Sequence, residues 1–81
     1  MTITVKLFAI YQETYQKSEL ILNLPKDSKA KDVLDLILQE KSELESWRTI
    51  TKLAVNLEFV SPDFPLKNGD EIALIPPVSG G

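Results

Sequence analysis

The stretch Ser28-Lys29-Ala30-Lys31-Asp32-Val33-Leu34-Asp35-Leu36-Ile37-Leu38-Gln39-Glu40 sets apolar side chains at Ala30, Val33, Leu34, Ile37 and Leu38. These fall at i, i+3, i+4, i+7 and i+8, so on a helix they form one stripe, with Lys31, Asp32, Asp35, Gln39 and Glu40 on the other side. Leu36 lies off the stripe. Pro25-Lys26-Asp27-Ser28 precedes it, and Asp27 or Ser28 can accept hydrogen bonds from the free backbone N–H groups of the first helical turn.

A one-sided helix needs a sheet to cover its stripe, and the flanking sequence supplies strands. Upstream, Ile3, Val5, Leu7 and Ala9 alternate with Thr2, Thr4, Lys6 and Phe8, the period of two of a strand with one buried face. A polar stretch with Gln12, Glu13, Gln16 and Lys17 leads to Leu20, Leu22 and Leu24, alternating with Glu19, Ile21 and Asn23, which predicts a strand pairing back as a hairpin. Downstream, Ser42-Glu43-Leu44-Glu45 fits an S-x-x-E cap for a short helical turn carrying Leu44 and Trp47. Leu53, Val55 and Leu57 restart the period of two, and Phe59-Val60 either continues that strand or forms a short one of its own. Asn68-Gly69 suits a tight turn, Glu71–Ile75 a buried strand, and Pro76-Pro77 ends pairing because proline donates no ladder hydrogen bond. The order predicts an α+β domain over residues 1–77, a mixed sheet clasping one amphipathic helix, with residues 78–81 as a flexible tail.

Composition narrows the chemistry. The chain holds 81 residues, nine basic and twelve acidic side chains, a formal charge of −3 and an apolar fraction of 43%. That is one modest core, and no window concentrates Lys or Arg, which argues against nucleic acid as a partner. There is neither Cys nor His, which removes the thiolate nucleophile, disulfides, the usual zinc sites and the commonest general base near neutral pH. No stretch approaches the roughly 18 consecutive apolar residues of a membrane span, and Met1–Ala9 has no apolar leader core, so the expectation is a soluble, cytoplasmic protein without a membrane role. The acidic set Asp32, Asp35, Glu40, Glu43 and Glu45 reads as a solvated helix surface, not a metal site. Tyr11, Tyr15 and Trp47 read as packing around a small core.

The end of the sequence carries the functional signal. Val78-Ser79-Gly80-Gly81 follows the rigid Pro76-Pro77, bears no side-chain charge and finishes in two residues without a Cβ. Prolines stiffen the base of such a tail, and glycines let its last units pass through a channel that any side chain would block. A terminal carboxylate on Gly81 would then reach an active site buried in another protein.

The run Leu66-Lys67-Asn68-Gly69-Asp70-Glu71-Ile72-Ala73-Leu74-Ile75-Pro76-Pro77-Val78-Ser79-Gly80-Gly81 resembles the C-terminal signature of the small, sulfur-carrier subunits of molybdopterin synthase, the MoaD family. Lys6-Leu7-Phe8-Ala9 and Ala54-Val55-Asn56 resemble other recurring segments of that family, so the likeness spans the chain. Family members often carry Arg before the residue matching Glu13, where this chain has Gln12, and no ionic contact carries over there. The resemblance implies a ubiquitin-like β-grasp fold. It implies that a ubiquitin-activating-type adenylyltransferase uses ATP to adenylate the Gly81 carboxylate, that an external persulfide converts the adenylate to a thiocarboxylate, and that the tail then enters the large synthase subunit. There the sulfur passes to cyclic pyranopterin monophosphate in molybdenum cofactor biosynthesis. The chain would bind no stable cofactor or metal and would not be an enzyme by itself, its catalytic residues lying on the partners. A heterotetramer of two large and two small subunits is implied.

A docking surface follows from strand alternation. With Ile3, Val5 and Leu7 facing the helix, Phe8 and Ile10 turn to the opposite side, where Ile75 joins them. Phe59 either completes this apolar patch or packs in a second small core beneath the loop of the 60s. Phe64 and Leu66 read as loop anchors. The candidate site is thus Gly81 and Gly80 for chemistry, with Phe8, Phe59, Ile75, Pro76, Pro77, Val78 and Ser79 for partner binding. Rival functions remain: a sulfur carrier for thiamine thiazole synthesis or tRNA thiolation, a ubiquitin-like modifier joined to targets through Gly81, and an interaction domain with an inert tail.

Overall fold

The period of two in the first strand has its expected outcome: Ile3, Val5 and Leu7 are buried while Thr4 and Lys6 are half-exposed. The computed structural model describes residues 1–77. Five strands, β1 (Thr2–Leu7), β2 (Glu19–Asn23), β3 (Lys52–Val55), β4 (Glu58–Val60) and β5 (Glu71–Ile75), form one sheet in the order β2-β1-β5-β3-β4. β1 and β5 run parallel, and every other neighbouring pair is antiparallel. The mixed sheet carries α1 (Ile10–Tyr15), α2 (Ala30–Glu40) and a 3₁₀ segment, Ser42–Ile50.

All five stripe residues of α2 are buried, in one cluster with Ile3, Val5, Leu7, Leu53, Val55, Ile72 and Leu74 from the inner face of the sheet. Leu36 stays 42% exposed, as its place off the stripe requires. The arrangement is the ubiquitin-like β-grasp. Glu71–Ile75 is a strand as read, and Gly69 takes φ 89° in the turn before it. Asn68 Oδ1 accepts the Thr2 N–H at 2.7 Å, tying that turn to the start of β1.

Several local readings are corrected. The polar stretch after β1 is helical, because Ile10, Tyr11, Thr14 and Tyr15 share a side turned inward: Tyr11 is fully buried, and Ile10 and Tyr15 pack against the core. Ile10 therefore joins the main core and not the patch of Phe8. Helix α2 begins two residues after Ser28. The Ser28 hydroxyl donates to the Pro25 carbonyl at 2.7 Å, and the Asp32 carboxylate accepts the Lys29 N–H at 2.7 Å, so neither Asp27 nor Ser28 is the cap. Ser42 makes no cap bond, and Lys41 opens the 3₁₀ segment, although Leu44 is buried and Trp47 half-buried as expected. Leu57 belongs to no strand: with Asn56 it forms the turn that makes Phe59-Val60 a separate strand. Leu66 is buried, whereas Phe64 stays 37% exposed.

Candidate functional site

β5 occupies the middle of the sheet, with β1 on one side and β3 on the other. The chain therefore leaves the sheet from its centre and not from an edge. Pro76 is buried and Pro77 exposed. Val78, Ser79, Gly80 and Gly81 lie outside the described residues.

The face of the sheet opposite α2 surrounds this exit. Cross-strand pairing sets Lys6, Ala73, Ala54 and Phe59 in one row across β1, β5, β3 and β4. In the next row Lys52 stands opposite Ile75. Leu7 pairs with Leu74, so Phe8, one residue on, lies level with Ile75 at the end of β1. Two small residues in the middle make the face shallow, with an aromatic ring at each side. Phe8 is 47% and Phe59 70% exposed, and Ile75 is half-buried. Phe8, Ile75 and Phe59 thus share the open face, and Phe59 is not roofed by the loop of the 60s.

Charge rims this face. Lys52 Nζ lies 5.9 Å from the centre of the Phe59 ring, within cation–π range. Lys6 donates to Glu19 at 2.9 Å, a hydrogen bond that raises the lysine pKa and keeps it charged. Beyond Phe59 the face meets a groove of about 480 Å³ lined by Lys31, Leu34, Arg48, Lys52, Val60 and Pro62. Arg48 is held there by Glu45 and Asp35; its hydrogen bond lowers the Glu45 pKa. Lys52 and the paired alanines, Ala54 and Ala73, escaped the sequence reading. The signal for the alanines was present in strand alternation, but Lys52 becomes a neighbour of Phe59 only through the hairpin after Val55.

Among the described residues, no group of three or more His, Cys, Asp or Glu could hold a metal ion. No helix among them is long and apolar enough to cross a membrane. The geometry offers a surface suited to docking: an apolar face, cations beside it, and a chain exit stiffened by two prolines.

Known proteins resemble this chain in fold and sequence. The ThiS family model matches residues 5–81. The chain is 35% identical to the molybdopterin synthase sulfur carrier subunit of Arabidopsis thaliana, over 98% of this chain and 82% of that protein. Among solved structures, it resembles one chain of the complex of subunits 1 and 2 of the molybdopterin-converting factor from Helicobacter pylori, with TM-score 0.67 and 30% identity over all of this chain and all of that one. It also resembles small archaeal modifier protein 1 from Haloferax volcanii, with TM-score 0.81 and 27% identity over 95% of this chain and 98% of that one.

Proposed function

The chain belongs to the ThiS family, and from that premise we propose that it is the sulfur carrier subunit of a cytoplasmic molybdopterin synthase, bearing the sulfur on the Gly81 carboxylate. One observation carries the reading: the run Pro76-Pro77-Val78-Ser79-Gly80-Gly81 follows the central strand, in a chain 35% identical to a relative named for that role.

The chemistry sets the order of events. A carboxylate resists nucleophiles until one oxygen becomes a good leaving group. A partner adenylyltransferase supplies this by joining AMP from ATP to Gly81 and releasing pyrophosphate. The terminal sulfur of an external persulfide then displaces AMP, and a second external thiol attacks the donor-side sulfur of the resulting acyl disulfide, leaving the thiocarboxylate on Gly81 and a disulfide on the donor. The loaded tail enters the large subunit, where cyclic pyranopterin monophosphate receives the sulfur. This chain contributes docking and reach. Phe8, Phe59 and Ile75 meet the partner, Pro76 and Pro77 aim the exit, and Val78, Ser79 and Gly80 thread the channel to the reacting carbonyl. ATP is consumed on the adenylyltransferase, and the carrier holds no cofactor of its own. The complex of subunits 1 and 2 from Helicobacter pylori supports a second-subunit partner; the proposed assembly, two small subunits at the ends of a central large-subunit dimer, rests on the family resemblance alone.

A second reading, attachment of Gly81 to other proteins, is favoured by the likeness to the archaeal modifier. Mass spectrometry separates the two. Incubation with the cognate adenylyltransferase, ATP and a persulfide donor gives a carrier one oxygen-to-sulfur exchange at Gly81; a modifier gives isopeptide-linked remnants on other chains. Gly81→Ala places a methyl group beside the reacting carbonyl, where misplacement by about 1 Å costs on the order of 100-fold in rate. Sulfur transfer by this variant therefore falls by about that factor while its thermal unfolding is unchanged. Transfer at the normal rate would refute the narrow-channel mechanism.

A further inference from the structure

The far edge of the sheet has properties that sulfur transfer does not use. Among the described residues, β2 pairs only with β1 and forms a free edge. Met1 and Leu24 exchange backbone bonds at 2.7 and 2.8 Å, and the Leu7 N–H donates to the Ser18 carbonyl at 2.9 Å. Ser18 and Leu24 therefore direct their backbone groups at β1, as Leu20 and Leu22 do by alternation. Glu19, Ile21 and Asn23 direct theirs outward.

This edge lacks two of the usual guards against pairing, and its one charged side chain, Glu19, is paired with Lys6. Glu19-Leu20-Ile21-Leu22-Asn23 contains no Lys and no Pro, and Ile21 is 59% exposed on the face opposite α2. The other edge, β4, is three residues long and is followed at once by Ser61-Pro62-Asp63.

We propose that β2 is a self-association edge, and that its occupant is β2 of a second copy of this chain, antiparallel about a two-fold axis through Ile21. The residues are complementary in that register. Ile21 meets Ile21 of the other copy, covering two exposed apolar side chains, and Glu19 meets Asn23 in both directions. The Asn23 amide oxygen accepts the Thr2 hydroxyl at 3.2 Å, so its NH₂ group is available to donate. Lys6 engages one oxygen of Glu19 at 2.9 Å, so the other oxygen is available to accept. Outward N–H and C=O groups of the three residues add about six backbone bonds across the axis. The product is a closed pair with a ten-strand sheet, both α2 helices on one side. β1 separates β2 from β5, so the open face and Pro77 of each copy stay accessible.

Two five-residue edges bury well under the roughly 800 Å² per partner of a stable interface, so the dissociation constant is on the order of 1 mM. The chain has no cysteine, which makes Ile21→Cys a clean probe. Residues facing each other in a hydrogen-bonded antiparallel pair have Cα atoms about 5.5 Å apart, within disulfide reach. Under mild oxidation Ile21→Cys forms covalent dimer at least about ten times faster than Ile50→Cys, whose parent residue is 48% exposed away from this edge. Separately, sedimentation equilibrium of the unmodified chain at about 1 mM gives a weight-average mass about one and a half times the 9.1 kDa monomer. Ile21→Pro removes only an outward N–H, leaves the β1 ladder intact and stays at monomer mass. Equal cross-linking rates for the two cysteine variants, monomer mass for the unmodified chain at 1 mM, or dimerisation of a folded Ile21→Pro would each overturn the proposal. The cysteine comparison holds even where the proline variant fails to fold.

Discussion

Leu57 sits where its side chain has least to gain. It is 93% exposed and takes φ 72°, next to Asn56 at φ 50°. Both central residues of the β3–β4 turn are thus left-handed, a geometry that favours Asn-Gly and costs a branched residue about 1–2 kcal/mol. Glycine gives back part of that gain through its unfolded-state entropy. Leu57→Gly therefore stabilises the domain by about 0.5–1 kcal/mol, read as a higher urea midpoint at unchanged m-value. The sequence obscured this turn because Leu57 continues the alternation of Leu53 and Val55. Only Asn56, whose side chain bonds Asp70 at 3.0 Å and the Glu71 N–H at 3.1 Å, hinted at a break. Tyr11 gives a second prediction at this scale. Its hydroxyl meets the Thr51 hydroxyl at 2.6 Å, and burial raises its pKa above the ordinary 10.0. The unfolded tyrosine ionises first on raising the pH. The stabilisation is complete below about pH 10 and is lost as pH rises through the folded-state value. A melting-temperature profile between pH 9 and 12 should slope downward, and Tyr11→Phe should lessen the slope, the remainder coming from Tyr15, whose pKa burial also raises.

Helix α2 shows how far periodicity reaches. Its stripe was legible because five apolar residues repeat at helical spacing and every one is buried. The contrast inside this one element is measurable. Leu38, 2% exposed, costs about 2–5 kcal/mol on replacement by Ala, whereas Leu36→Ala, at 42% exposure, changes stability by about 0.5 kcal/mol or less. Chemical denaturation of the two variants checks this. Helix α1 was not legible, since six residues give too few repeats and its polar Gln12 and Glu13 dominate the reading. Its burial shows only once Tyr11 and Tyr15 are seen to share a side with Ile10. The start of α2 was misread for a related reason: Ser28 has a nearer acceptor in the Pro25 carbonyl, and Asp32 caps from within the first turn.

At the scale of the molecule, strand order creates the candidate site. Phe8 and Ile75 were expected together from alternation, and parallel pairing of β1 with β5 sets them level. Phe59 reaches the same face by a route no local pattern reveals, through the Phe59–Ala54 and Ala54–Ala73 pairs. If this face receives the large subunit, Phe59→Asp removes an aromatic anchor from the contact and puts a charge in its place, weakening binding by about 10- to 100-fold, measured by calorimetry, with its own melting temperature nearly unchanged because Phe59 is 70% exposed. Val78–Gly81 was readable only as a motif.

The strand made last among the described elements lies at the heart of the sheet, and this has a consequence during synthesis. Until a ribosome has delivered Ile75, β1 and β3 have nothing between them and the hydrophobic interior stays open. The domain cannot mature progressively from its N-terminus, so a chain released before Ile75 is one that proteases find unfolded.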